Sequence, residues 1–335
     1  YMLIQFNFKN YKSFKDDNTL DMTATSIKEH SYNLIDKNSK DKYLKIAAIY
    51  GANASGKSNL IDAFSFMRYF VLNSLSLDDS QEKQRGKFVP VNVFAFDDAS
   101  KNMPTEFEVF FIHNNVEYQY GFSVSKQKIY AEWLYSKPGK GNKYQNLFER
   151  ADNKIECGEK MKDAQKFADS VEEQTLFLSL TAKTKISVSK QVYERFADCT
   201  VVDFGDIAFE GFISRRLSPE IVENEDYKRE LEGFLAAIDT GIKGIRVVNK
   251  ENGDLVELPF SLESSGTLKM FCLFDFFWDV MNTGSVLFAD ELNAKLHPLL
   301  MRYIINMFHD SSINKKNAQL IYTTHDTFTL TRDIF

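Results

Sequence analysis

The sequence has few cysteines and no long apolar run, and we expect no signal peptide. Its three cysteines, Cys157, Cys199 and Cys272, are far apart, odd in number and outside any CxxC spacing. This pattern argues against a disulfide framework and against a zinc site, and it favours a reducing, cytoplasmic compartment. The most aromatic segment, FCLFDFFWDV, is interrupted by Asp275 and Asp279 and is too short for a bilayer span. We therefore expect no membrane partner.

An excess of basic residues is also missing. The formal net charge of −6 and a pI near 5.6 give no global electrostatic signature of nucleic-acid binding. DNA as a partner is therefore possible but unsupported by charge, since a local basic groove is compatible with an acidic total. The chain has no internal repeat and no low-complexity segment. Its 335 residues, 44% of them hydrophobic, can bury a full core in one large domain or two smaller ones.

Apolar periodicity predicts an α/β protein that contains an antiparallel β-subdomain. The N-terminal segment IQFNF alternates apolar and polar residues, as in a half-buried strand. Between about Phe88 and Tyr135 the segments FEVFFI, VEYQYGFSV and KIYAEWLYS follow one another, with Asn114-Asn115 as a turn. The chain then becomes charged and helical from about Asp152 to Ala237. The C-terminal part returns to α/β, with a strand near Ile245–Val248, a helix through LKMFCLFDFFWDVM, the strand SVLFA, a helix from about Pro298 and the strand QLIYTT.

The segment GANASGKSN follows the apolar run LKIAAIY and precedes a helical pattern. Gly51, Gly56, Lys57 and Ser58 satisfy G-x-x-x-x-G-K-[ST], in which backbone N–H groups turn onto phosphate oxygens, the lysine reaches the β/γ-phosphates and the hydroxyl holds Mg²⁺. An ordinary glycine-rich turn is the alternative, but the order strand, glycine loop, helix favours a phosphate site. The candidate nucleotide-binding residues are Gly51, Ala52, Asn53, Ala54, Ser55, Gly56, Lys57, Ser58 and Asn59.

An acidic pair follows a second buried strand in SVLFADEL. Asp290 is placed to order the Mg²⁺ shell, and Glu291 to polarise an attacking water as general base. Taken alone, the pair is better explained as a cap on the helix that follows. Its occurrence together with the glycine loop favours the catalytic interpretation.

Two smaller motifs accompany the acidic pair. LESSGTLK places Ser264, Ser265 and Gly266 at the start of a long helix, where they form either a second anion site or a plain serine cap. QLIYTTHD places His325 directly after a strand, where it is a candidate sensor of a γ-phosphate. A lone histidine is more often structural, but the neighbouring acidic strand favours a switch residue.

The order of these motifs resembles the ABC-type ATPase heads of the SMC, RecF and OLD group. The spelling of IQFNFKNYKSF and LESSGTLK is most similar to bacterial AAA family ATPases related to OLD, including antiphage ATPases of the AbiL/RloA and PARIS kind. The resemblance covers Met2–Phe70 and Phe260–Asp326. It implies a P-loop NTPase fold, an ABC-type ATPase head with an antiparallel β-subdomain and an inserted helical arm. The implied segments are lobe I at 2–150, the arm at 151–240 and lobe II at 241–335, which we expect to continue beyond Phe335.

The resemblance also implies roles for particular residues, with ATP and Mg²⁺ as cofactors. Lys57, Glu291 and His325 are the implied catalytic residues, and Ser58 and Asp290 are the implied metal ligands. The serine loop Ser264–Gly266 is implied to contact a γ-phosphate bound on a second protomer, and His297 to complete that composite site. Two features depart from the family pattern: SSGT differs from the fuller LSGGQ-like spelling, and no Q-loop glutamine is assigned between positions 88 and 107.

The resemblance implies a homodimer, or a higher homo-oligomer, that closes around ATP and controls a partner nuclease or effector protein, in bacterial antiphage defence. Two alternatives remain open at this point. One is a RecF- or SMC-like DNA-repair clamp, which needs a basic groove that faces DNA. The other is a nucleotide-gated scaffold with negligible turnover.

Overall fold

The computed structural model describes residues 2–27, 29–35, 41–76, 89–139, 141, 143–206, 220–237, 265–294 and 296–325. The predicted strand at Ile245–Val248 and the candidate residue Ser264 lie outside these ranges. The strands, helices and contacts of this fold are those of the described residues.

The elements alternate between long antiparallel hairpins and α/β segments. The strands are β1 (Met2–Lys9), β2 (Asn18–Asp21), β3 (Leu34–Ile35), β4 (Tyr43–Leu44), β5 (Ile46–Tyr50), β6 (Thr105–His113), β7 (Val116–Val124), β8 (Ile129–Pro138), β9 (Gln145–Ala151), β10 (Lys154–Cys157), β11 (Thr200–Asp203), β12 (Val286–Asp290) and β13 (Gln319–Thr324). The α-helices are α1 (Lys57–Asn73), α2 (Asp98–Lys101), α3 (Phe177–Ala182), α4 (Ser187–Asp198), α5 (Glu220–Glu223), α6 (Glu225–Ala237), α7 (Ser265–Thr283) and α8 (Pro298–His309). Two 3-10 helices span Ser31–Asn33 and Glu159–Ser170.

The chain divides into two compact units, and each unit is formed by three separate segments of the sequence. The first unit contains Tyr1–Ile27, Leu34–Leu44 and Asn53–Val201, and the second contains Lys28–Asn33, Lys45–Ala52 and Val202–Phe335. The segments predicted from the sequence, 2–150, 151–240 and 241–335, are instead contiguous. Those boundaries stay a prediction.

The first unit is built on a seven-stranded antiparallel sheet in the order β10-β9-β8-β7-β6-β1-β2. Along β1 and β6, buried and more exposed positions alternate, which is the pattern expected of strands that cover a core on one face. The turn between β6 and β7 has left-handed residues at Asn114 (φ 50°) and Asn115 (φ 60°), a conformation that suits a two-residue hairpin. The predicted antiparallel β-subdomain is confirmed.

The outer hairpin of this sheet was not predicted from the sequence. Strand β10 lies at the start of the segment predicted to be helical. The sequence does not indicate this strand, because it has only four residues and its charged residues obscure the β alternation. Its outer edge is closed by Gln165, whose Nε2 donates to Ile155 O at 2.8 Å and whose Oε1 accepts from Cys157 N at 2.9 Å. A side chain that pairs these edge groups keeps them from pairing with another strand.

Helix α1 packs its apolar face on the sheet. The ring of Phe64 lies 5.3 Å from Phe6 of β1, and Phe70 lies 5.4 Å from Phe122 of β7. Helices α3 and α4, from the segment predicted as an inserted helical arm, pack against the same helix. Their side chains are tied to its last turn, since the Ser179 hydroxyl donates to Val71 O at 2.6 Å and Tyr193 Oη to Leu72 O at 3.0 Å.

The second unit contains a four-stranded sheet in the order β11-β12-β13-β5. Strands β12, β13 and β5 are parallel, and every residue of β12 and β13 is buried, as expected of strands covered on both faces. Aromatic contacts hold the helices together: Tyr227 of α6 lies 5.2 Å from Phe274 and 5.4 Å from Trp278 of α7. The chain therefore has the mixed α/β fold that the sequence predicts. In the ranges that the structure describes, we find no helix with the length and apolar character that crossing a bilayer requires.

Candidate functional site

The glycine loop connects β5 to α1 and contains two left-handed residues. Gly56 has φ 95°, and a Cβ at this position would lie 2.9 Å from Ser13 Oγ and 3.2 Å from the ring of Phe14. Both the backbone conformation and the lack of space therefore require glycine here. Ala54 is also left-handed, with φ 61°. Left-handed residues in a short loop are a component of the concave backbone nests that bind anions.

Helix α1 begins directly after this loop. Its N-cap is Gly56, and among the described side chains none caps the helix. Lys57 is 9% exposed, whereas Ser58 is exposed. A helix of 17 residues presents a positive dipole end and N–H groups at this point. The residues present fit a triphosphate with Mg²⁺, because they combine this helix start with a lysine and an exposed hydroxyl.

A turn from Tyr11 to Phe14 braces the loop within the first unit, and sequence reasoning gave it no role. Tyr11 and Phe14 exchange backbone hydrogen bonds of 2.8 Å, and Ser13 Oγ accepts from Asn59 Nδ2 at 2.8 Å. Lys12 Nζ lies 2.6 Å from Asp62 Oδ2, which also accepts from Tyr11 Oη. Burial, together with this carboxylate, holds the pKa of Tyr11 well above its usual range. The only signal in the sequence is the turn composition of KNYKSF.

The acidic pair ends β12 in the second unit. Asp290 is 9% exposed and accepts a hydrogen bond from the Thr323 hydroxyl, which in turn accepts from Glu291 N at 2.8 Å. Glu291 is left-handed, with φ 49°, and Leu292 N donates to Thr323 O at 3.1 Å. A left-handed residue with a side chain is strained by about 1–3 kcal/mol and persists only where its surroundings hold it. Thr323 supplies that restraint at the predicted general base.

The structure brings His325 to the same place. Its Nε2 lies 3.8 Å from Glu291 Oε1. Asn293 Oδ1 accepts from the Thr324 hydroxyl at 2.8 Å and from His325 N at 3.2 Å, so it ties the turn after β12 to the end of β13. Sequence reasoning assigned no role to Asn293, or to Thr323, which lies inside the motif QLIYTTHD.

The start of the glycine loop lies at the same edge of the parallel sheet. Tyr50 of β5 is in register with Thr324 of β13, so Gly51 and His325 both leave the sheet at its carboxyl edge. Asp290 ends the next strand at that edge. In open α/β sheets, this edge is where ligands bind. Gly51 and Ala52 belong to the second unit, and Asn53 to Asn59 belong to the first.

The remaining candidates occupy helix starts. His297 is the N-cap of α8, and its Nδ1 accepts from Leu299 N at 3.3 Å, with Pro298 as the first helical residue. Ser265 and Gly266 are the first two residues of α7. The role of the serine loop at a second protomer stays a prediction.

Comparison with known protein families finds a match over most of the chain. A family model described as "AAA domain, putative AbiEii toxin, Type IV TA system" matches residues 46–331, which include the glycine loop, the acidic pair and His325. No curated protein matches the chain. The match spans most of the 335 residues, and the chain therefore belongs to this family of nucleotide-binding AAA-domain ATPases.

Proposed function

We propose that this protein is a Mg²⁺-dependent ATP hydrolase that dimerises around ATP and controls a partner nuclease or effector, in bacterial antiphage defence. The main support for ATP hydrolysis is the arrangement of Asp290, Glu291 and His325. These residues lie at the carboxyl edge of the parallel sheet, where the glycine loop also begins. We place this activity in the OLD-like, ABC-type branch on the motif order GANASGKS, SSGT, ADEL and TTHD.

Each residue has a role set by its chemistry. Backbone N–H groups of the glycine loop and Lys57 hold the triphosphate, and Ser58 and Asp290 hold the metal ion. Mg²⁺, when bound, neutralises charge that develops on the phosphate oxygens. Glu291 accepts the proton of the attacking water, and His325, 3.8 Å from that carboxylate, contacts the γ-phosphate.

The proposed dimer rests on the serine loop. Ser264, Ser265 and Gly266 meet the γ-phosphate on a second protomer, and Ser265 and Gly266 are the first residues of α7. A helix start binds an anion, so two protomers attract each other only while the γ-phosphate lies between them. ATP is thus a differential ligand for the closed state, and hydrolysis releases it.

The defence role draws on the family description, which names an AbiEii toxin and a type IV toxin–antitoxin system, and the partner nuclease or effector rests on the resemblance of the sequence motifs. The acidic net charge of −6 favours a protein partner over DNA. A RecF- or SMC-like clamp predicts the opposite: ATP-stimulated DNA binding that weakens steeply with salt.

Hydrolysis is tested with Lys57→Ala and Glu291→Gln. Removing a general base lowers rates by about 10²–10⁴-fold, so we expect at least a hundredfold loss of phosphate release for Glu291→Gln. Glu194→Gln, a change of a partly exposed glutamate on α4, is the matched control and should hydrolyse ATP at the wild-type rate. Wild-type turnover in either Lys57→Ala or Glu291→Gln would show that the site is wrongly assigned.

The dimer is tested by light scattering of Glu291→Gln with and without ATP. We expect an ATP-dependent dimer that persists in this variant and dissociates in the wild type as ATP is consumed. An ATP-dependent dimer in a wild type with no measurable turnover would instead identify the nucleotide-gated scaffold. A monomer under all conditions would refute the dimer.

A further inference from the structure

The turn that follows β11 lies against the end of the acidic strand in the second unit. Phe204 N donates to Asp290 O at 3.0 Å, so the main chain of this turn is fixed to β12. Gly205 N donates to Asp203 Oδ1 at 2.7 Å, which fixes the turn internally. Gly205 is therefore held in one place beside the acidic pair.

Gly205 lacks a side chain where the Glu291 carboxylate lies. A Cβ at Gly205 would be 2.8 Å from Glu291 Oε2 and 3.6 Å from its Cδ, and 3.0 Å from Asp203 Oδ1. Unlike Gly56, Gly205 does not have a left-handed φ. The backbone conformation at this position therefore does not require glycine, whereas the close approach of the Glu291 carboxylate leaves little space for a side chain.

We propose that Gly205 is a positioning residue for Glu291, because it leaves the space that the carboxylate needs in its hydrolytic orientation. This inference rests on the proposed function, in which Glu291 is the general base. Thr323 fixes the backbone of Glu291, and His325 lies 3.8 Å from Oε1 of its carboxylate. Gly205 borders the other oxygen, Oε2, so the carboxylate is bounded at both of its oxygens.

The structure can accommodate a methyl group at Gly205 at a small cost in stability if the Glu291 side chain moves. The Cβ position is closest to the end of a flexible, partly exposed side chain, while the backbone of the turn is held by its hydrogen bonds. The Glu291 side chain therefore rotates away, and the folded structure loses little. Catalysis is more sensitive, because a displacement of about 1 Å in a reacting group costs roughly a hundredfold in rate.

The test is Gly205→Ala in the full chain. We expect kcat for ATP hydrolysis to fall at least tenfold, while the Kd for a fluorescent ATP analogue and the Tm stay close to wild type. Gly233→Ala is the matched control: its Cβ, in α6, would lie 2.7 Å from Tyr303 Oη, so it creates similar crowding away from the carboxylate. This control should leave kcat unchanged.

A second background shows whether Gly205 acts through Glu291. Glu291→Asp withdraws the carboxylate from Gly205 by one methylene, so adding Gly205→Ala to it should reduce kcat by less than twofold. An equal loss in both backgrounds, or a loss accompanied by lower Tm and weaker nucleotide binding, overturns the inference. Wild-type kcat in Gly205→Ala also overturns it. The proposed function has its own failure, namely full activity of Glu291→Gln, and that result is independent of Gly205.

Discussion

The Thr323 hydroxyl is predicted to hold the acidic pair in its working conformation. It donates to Asp290 Oδ1 and accepts from Glu291 N at 2.8 Å, and Thr323 is only 1% exposed. Thr323→Val keeps the volume of the side chain but removes both hydrogen bonds. It leaves a nearly buried carboxylate oxygen and a backbone N–H without this partner.

The size of the effect follows from the two bonds. A hydrogen bond to a charged group is worth about 1.5–3 kcal/mol, and a neutral one about 0.5–1.5 kcal/mol. We therefore expect Thr323→Val to lower the free energy of unfolding by about 2–4.5 kcal/mol. It also frees the strained left-handed residue Glu291, φ 49°, to relax. The ATP hydrolysis rate should then fall at least tenfold.

The assay is urea denaturation together with steady-state ATP hydrolysis of the folded protein. Thr323→Ser keeps the hydroxyl and loses one methyl group, worth about 0.8 kcal/mol, so it should keep most of the activity. Thr181→Val removes another buried hydroxyl, bonded to Phe177 O and Ser189 Oγ in the first unit, and should lower stability without changing kcat. Wild-type stability and wild-type turnover in Thr323→Val would refute the reasoning.

Three further predictions concern single positions. Gly56→Ala should abolish binding of a fluorescent ATP analogue, because φ 95° and the 2.9 Å approach to Ser13 Oγ leave no place for a Cβ; normal binding would contradict this. Asn293→Ala should lower kcat, because His325 N and the Thr324 hydroxyl lose their acceptor, whereas Asn293→Asp keeps an acceptor oxygen and should retain activity; equal kcat in both variants would argue against the tie. Burial lowers the pKa of His309 from 6.5 to about 4, so the folded state binds fewer protons than the unfolded state below pH 6.5. The free energy of unfolding should therefore be highest above pH 6.5 and should decrease as the pH falls towards 4, by about 2 kcal/mol at pH 5. In His309→Phe the urea midpoint should fall less over this pH range. The same pH dependence in the variant and the wild type would contradict the assignment.

The sequence by itself determined the local parts of this protein. The spacing of Gly51, Gly56, Lys57 and Ser58 predicts a phosphate-binding loop between a strand and a helix. This prediction is possible because the strand, the loop and the helix each depend only on neighbouring residues. Strands β6 to β8 and β12 follow from apolar runs and alternation, and the turn at Asn114-Asn115 follows from residues that tolerate a left-handed backbone. The acidic pair and His325 were found because each directly follows such a run.

Only the tertiary structure decided which of these parts meet. His325 lies beside Glu291 because β13 lies next to β12, between β12 and β5. No local sequence pattern encodes this order of strands in the sheet. The Thr323 hydroxyl contributes to the site because it bonds Glu291, which is 32 positions away in the chain. Gly205 contributes because the carboxylate of the same distant residue lies against it. A threonine or a glycine has the same local preferences whether or not a carboxylate lies beside it, so its contribution to the site depends on packing that only the folded chain provides.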